Sequence, residues 1–197
     1  MYNKIDWNAL RDKAYKCAKA HGWHEKRYSD KHFLMLIVTE IAETVNADRK
    51  NRYAEVAKFK EWQGNNVPLS EETRKRRFNE DFDAYIKDTV EDEFADVIIR
   101  SLDLAGLLGI DLTSLDDLLK QEDKLLEMSN IQHVDFGEQA LKLVEIVVDD
   151  DKLSTTILAT IFCTYLWTQK LNIDILWHIE QKLRYNETRE YRHGKKY

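Results

Sequence analysis

The stretch "LMLIVTEIAETVNADRK", residues 34–50, sets two glutamates, Glu40 and Glu43, into what otherwise reads as the buried stripe of a helix. On a 3.6-residue helix Phe33, Leu36, Glu40, Glu43 and Ala47 fall within about a quarter of the circumference, so the acids share the apolar face. A buried carboxylate is costly unless it is protonated, paired with a cation or bound to a metal. The pattern calls for a helix, and the helix calls for a counter-charge.

Composition supports the helical reading. The 197 residues are 43% hydrophobic and 34% charged, with six glycines and a single proline, which suits an all-α protein better than a sandwich or barrel built on turns. The length allows one substantial domain over 1–197. Amphipathic helices are expected over 6–21, stopped by Gly22, and over 30–50, capped by Ser29 or Asp30. Residues 51–85, weakly patterned and interrupted by Gly64 and Pro68, read as an excursion from the bundle, a loop followed by a short charged helix starting near Ser70. A long helix over 82–108 ending at Gly109, one through "SLDDLLKQEDKLLEM" capped by Thr113 or Ser114, two more over 136–148 and 154–170, and a last through "IDILWHIEQKLRYNETREY" complete the series.

The chain also echoes itself. "VTEIAE" at 38–43 resembles "LVEIVV" at 143–148, and "LLGIDL" at 107–112 resembles "KLNIDI" at 170–175. Glu145 then corresponds to Glu40, while Val148, Thr156 and Ala159 stand where Glu43, Glu93 and Asp96 stand. Residues 136–176 thus read as a degenerate second half left by tandem duplication of a helical hairpin, the plain alternative being the generic repetitiveness of amphipathic helices.

Charge and cysteine usage narrow the partners. Net charge is −6 and the basic residues are dispersed, apart from "RKRR" at 74–77 and the extreme C-terminus, which argues against duplex nucleic acid. Cys17 and Cys163 lie far apart without a CxxC spacing, and the polar start carries no signal peptide, so a reduced, cytoplasmic protein is expected. The most apolar stretch, "LSTTILATIFCTYLW", is too short to span a bilayer, and no membrane association is expected.

The second acidic element is "TVEDEFADVIIR". Glu93 and Asp96 are three apart, hence on one face, and border the apolar stripe of Val90, Phe94, Val97 and Leu104. Packed antiparallel, the two acidic helices would aim Glu40, Glu43, Glu93 and Asp96 at one volume, where a divalent metal would relieve their repulsion. All-oxygen ligands favour Mg²⁺ or Mn²⁺ over zinc, and His21, His24 and His32 share no helical face with the acids. Arg100, one turn beyond Asp96, reads as an i,i+4 ion-pair partner, and Asp103 as a supporting residue. In the tail "KLRYNETREYRHGKKY", Lys182, Asn186 and Arg189 fall at i, i+4 and i+7, a stripe of two cations and an amide suited to polyphosphate oxygens. Solvated faces are the plain alternative for the acid pairs and for the tail alike. Trp23, Trp62 and Tyr185 are candidates for stacking on a base, or else simply packing aromatics.

These residues carry a resemblance. "LMLIVTEIAETVNADR" followed by "DTVEDEFADVIIRSLDLAGLLGIDL" resembles the ExxE and ExxD signature of the all-α nucleoside triphosphate pyrophosphohydrolases of the MazG-like group, and the tail is similar to that group's substrate-binding end and resembles the Lys, Asn and Arg arrangement of the related dimeric dUTPases. The likeness covers 22–49, 85–112 and 177–197. It implies a four-helix catalytic bundle, often completed as a homodimer, with Mg²⁺ held by Glu40, Glu43, Glu93 and Asp96. Catalysis would involve Glu40 and Glu43, and Lys182, Asn186 and Arg189 would contact the phosphates of an NTP or dNTP hydrolysed to monophosphate and pyrophosphate. The sequence departs from the simplest pattern in its 51–85 insertion and in the acid-poor second half, which would stand in for a dimer partner. The competing readings are a catalytically silent bundle that senses nucleotides or docks a partner around Trp62, a di-iron carboxylate bundle, for which Glu-x-x-His elements are missing, and a purely structural helical protein.

Overall fold

A computed structural model describes residues 4–61, 69–120, 134–149 and 152–191, and every regular element among them is a helix. In chain order these are α1 (Trp7–Ala20), α2 (Asp30–Arg49), α3 (Val56–Glu61), α4 (Glu71–Tyr85), α5 (Val90–Leu108), α6 (Thr113–Leu119), α7 (Phe136–Val148), α8 (Leu153–Lys170) and α9 (Ile175–Asn186). None is long and apolar enough to cross a membrane.

Helix boundaries follow local chemistry. Asp6 caps α1 by accepting from the Ala9 amide, and Ser29 caps α2 through the His32 amide. Past the end of α1, Gly22 sits at φ +79, Trp23 N–H reaches the Ala18 carbonyl at 3.2 Å, and Gly22 N–H reaches that of Lys19 at 3.1 Å. This left-handed cap favours glycine, and so does the space around it, because a Cβ there would lie 2.2 Å from the Tyr191 ring.

The organising element is α5, which buries residues around most of its circumference, from Val90 and Phe94 through Ile98 and Leu102 to Ala105. It packs against α1, α2, α8 and α9. α2 packs on α5 and α7, α7 on α8, and α8 on α5, so α2, α5, α8 and α7 close a four-helix ring. Ile37 and Ile41 of α2, Leu143 and Val147 of α7, and Ile157 and Ile161 of α8 join one core with the α5 residues. Each such side chain contributes roughly 1.5–3 kcal/mol of burial free energy.

The 51–85 excursion holds two helices with a core of their own. Phe59, Phe78 and Phe82 cluster with Ile86 and with Tyr185 of α9, and Phe82 stacks on Tyr185 with ring centres 4.3 Å apart. The segment is tied to the start of α5, where Val90 N–H donates to the Arg52 carbonyl and Glu91 accepts from the Ala54 amide. The expected helix over 82–108 is in fact broken. α4 runs on to Tyr85, and α5 begins afresh at Val90 because the Thr89 side chain caps it and Asp88 takes the left-handed φ of +57. α6 starts at Thr113 itself, with Leu112 at the cap position and no side-chain cap, and the expected continuation of this helix past Lys120 lies outside the described residues. α9 ends at Asn186, so Arg189 belongs to the following turn rather than to a helical stripe.

Candidate functional site

α2 and α5 pack face to face and bring three of the expected acids together. Glu40, Glu93 and Asp96 each place one carboxylate oxygen within 4.8 Å of the others, Glu40 and Glu93 being 4% exposed. Glu43 does not join them. One turn along α2 it lies exposed, on the rim of the cavity that the other three line. Sharing a helical face therefore places Glu40 and Glu43 on one side of α2, but only Glu40 at the depth of the α5 acids.

Two protein cations already stand among the carboxylates. Arg100 donates from Nε to Glu40 across the α2–α5 contact, instead of the partner expected on its own helix. Lys182 reaches from α9 to sit 2.7 Å from Asp92 Oδ2 and 2.7 Å from Asp96 Oδ2. Its ammonium is thus held inside the acid cluster rather than left open for a phosphate. Asp92, one residue before Glu93, was not among the expected acids, yet it is 1% exposed and also accepts from the Asp88 amide. Its second oxygen, Oδ1, is buried without a hydrogen-bond partner, as is Asn186 Oδ1.

The titration behaviour reflects this crowding. Burial, together with Asp96 and Asp92, pushes the Glu93 carboxyl up to about 9. Burial raises Asp92 to about 6 against the pull of Lys182, and raises Glu40 against that of Arg100. For Lys182, burial works against the charge, but Asp92 and Asp96 outweigh it and hold the ammonium above its ordinary value.

The residues present fit a hard divalent cation. Ionised, Glu40, Asp92, Glu93 and Asp96 would carry four negative charges against the two positive charges of Arg100 and Lys182, an excess of two that one such ion would balance. Oxygens bound to Mg²⁺ at about 2.1 Å lie roughly 3–4 Å apart, so a small inward movement of the three clustered carboxylates would supply three of its six ligands. Asp92, tied to Asp96 through Lys182, keeps one oxygen without a hydrogen-bond partner but lies outside the clustered three and does not line the cavity.

Beyond the acids, the same cavity of about 260 Å³ opens into a chamber of mixed lining, where His21, His32 and Asp103 stand among apolar side chains. Ala14, Cys17 and Ala18 of α1, Phe33 and Leu36 of α2 and Ile99 of α5 line it, with Trp23 and Tyr28 from the α1–α2 loop. At this end His24 Nε2 lies 2.7 Å from Asp103 Oδ1. Asn186 and Arg189 line the charged end, the Arg189 guanidinium lying 5.7 Å from the centre of the Tyr185 ring. Of the stacking candidates, Trp23 lines the cavity, Tyr185 is engaged with Phe82 and donates to Asp83 at 2.7 Å, and Trp62 lies outside the described residues. Glu145, the counterpart of Glu40 in the second half, is exposed on α7, and Thr156, the counterpart of Glu93, is buried in α8.

Comparison of the chain with protein-family models, curated proteins and solved structures finds no match.

Proposed function

We propose that the chain is a Mg²⁺-dependent nucleoside triphosphate pyrophosphohydrolase, converting an NTP or dNTP to its monophosphate and pyrophosphate, with Mn²⁺ as a substitute ion. The observation that carries this reading is the continuity of one cavity from the Glu40, Glu93 and Asp96 cluster, an end that suits phosphates, to a chamber walled by Phe33, Leu36, Tyr28 and Ile99 with Asp103 as its one carboxylate, an end that suits a base. The resemblance of the two acidic helices to the MazG-like signature adds to it.

Glu40, Glu93 and Asp96 would hold the ion, which when bound supplies charge neutralisation of the triphosphate and activation of water. Lys182 orients Asp96 by bridging it to Asp92. Arg189 and Asn186, at the cavity wall, meet the phosphates, where a guanidinium offers a forked pair of donors. Glu43, exposed at the rim, would take a proton from the attacking water.

A panel of canonical NTPs and dNTPs, assayed for pyrophosphate release with millimolar Mg²⁺, tests the reading. Metal-dependent release with at least one nucleotide, lost in Glu93→Gln, is the expected result. A second reading, a catalytically silent nucleotide-binding bundle, is favoured by one observation, that Arg100 and Lys182 neutralise part of the cluster without any metal. Nucleotide binding that persists in chelator, with no pyrophosphate released across the panel, would replace the hydrolase by this binder.

A further inference from the structure

Glu93, Asp96, Arg100 and Asp103 fall at i, i+3, i+7 and i+10 along α5, and all four line the cavity. The seven residues from Asp96 to Asp103 span about 10 Å of helix, comparable to the reach from the innermost phosphate of a nucleotide across its sugar to the far edge of its base. Around Asp103 the chamber is walled by Ile99, Phe33, Tyr28 and the small residues of α1, with His21, Trp23 and His32 also in the lining and Arg100 between Asp103 and the acid cluster. A carboxylate in such surroundings is costly to desolvate. Asp103 is nevertheless fixed there. Its Oδ1 lies 2.7 Å from His24 Nε2, from which an ionised carboxylate accepts, and the imidazole is itself flanked by Tyr15 and Phe33, with ring centres 5.1 and 5.9 Å away. The side chains of His24 and Asp103 are only 7% and 14% exposed. This is a rigid acceptor, braced from behind, in a chamber of the size and character that suit a base.

On the nucleotide reading above, on which this inference rests, we propose that Asp103 reads the base by accepting a hydrogen bond from an exocyclic amino group. The cavity then selects amino-bearing bases over their deaminated counterparts. An ionised carboxylate offers acceptors only. The amino group of cytosine or adenine meets it as a donor, whereas the carbonyl that replaces this group in uracil or hypoxanthine turns lone pairs toward it and leaves a buried acceptor unpaired. Sites built around a buried polar contact discriminate strongly against analogues that cannot make it.

The test uses two matched pairs, dCTP with dUTP and dATP with dITP. It measures kcat/KM in Mg²⁺ and, by calorimetry, the binding of the non-hydrolysable α,β-imido analogues, for the parent chain and for Asp103→Asn. The parent should prefer the amino member of at least one pair by about ten-fold to a hundred-fold. Asp103→Asn, nearly isosteric but able to donate, should abolish or reverse that preference while keeping its Mg²⁺-dependent thermal stabilisation. Equal binding within both pairs, or preference for the deaminated members, by the parent chain overturns the proposal even if the variant fails to fold. So does a ratio unchanged in a folded Asp103→Asn. If the imido analogues bind with the expected preference but no pyrophosphate is released, the base-reading role stands and the hydrolase reading falls.

Discussion

Lys182 of α9 and Asp92 of α5, 90 residues apart in sequence, meet at 2.7 Å with 6% and 1% of their side chains exposed. Removing one member of such a buried pair leaves the other uncompensated, which typically costs about 3–5 kcal/mol. Lys182→Met should therefore lower stability by that order in urea denaturation at neutral pH, and adding Asp92→Asn should recover part of the loss. A Lys182→Met chain as stable as the parent would show that the ammonium is not needed to hold α9 against α5.

On the metal-binding reading, Arg100 and an added cation would compete for Glu40. Arg100→Gln removes the competitor and should tighten Mg²⁺ binding by about five- to ten-fold, equivalent to about 1–1.4 kcal/mol, whereas Glu40→Gln should weaken it severely. Calorimetric titration of both variants with Mg²⁺ decides the point, and weaker binding by Arg100→Gln would contradict the competition.

Glu93 and Glu43 should part company. Glu93 is buried among carboxyls that push its titration up to about 9, so Glu93→Gln should stabilise the metal-free chain while losing most of the stabilisation given by Mg²⁺. For a chain of this length each kcal/mol is worth about 2–4 °C in Tm. Glu43→Gln, at an exposed position, should leave the metal-free Tm almost unchanged. Melting curves with and without millimolar Mg²⁺ separate the two.

His178, one turn before Lys182 on α9, supplies a pH dependence of its own. It is 4% exposed beside Trp177, its Nδ1 lacks a partner, and burial pulls its titration from 6.5 down to about 4, Asp174 opposing and Lys60 assisting. Between pH 4 and 6.5 the unfolded chain binds the proton and the folded chain does not, so this residue's contribution makes stability fall as pH falls through the window. The stability difference between His178→Phe and the parent should shift in favour of the variant as the buffer is taken from pH 7 to pH 4. A difference independent of pH would mean that the folded imidazole takes up its proton normally.

How far the sequence revealed this arrangement depends on which residues had to meet. The apolar spacing around Glu40 and Glu93 was enough to place both on core-facing helices, because burial follows helical periodicity directly. The break between α4 and α5 was hidden by the same periodicity. Phe78, Phe82, Ile86 and Val90 keep an unbroken i,i+4 spacing and are all buried, while the chain is turned by Asp88 and capped by Thr89. Asp92 and His24 were missed because their partners, Lys182 and Asp103, lie 90 and 79 residues away, and no local pattern announces a pair made by tertiary packing. Asp92 did leave one trace, its i,i+4 spacing to Asp96, which becomes meaningful once Lys182 is known to bridge the two.

The ring of α2, α5, α8 and α7 is closed by a hairpin that the same polypeptide supplies. The apolar backs of the two acid-bearing helices are thereby covered in a first-order event, at an effective concentration set by the tether rather than by the amount of protein present. Dilution does not uncover the faces that these contacts within one chain bury.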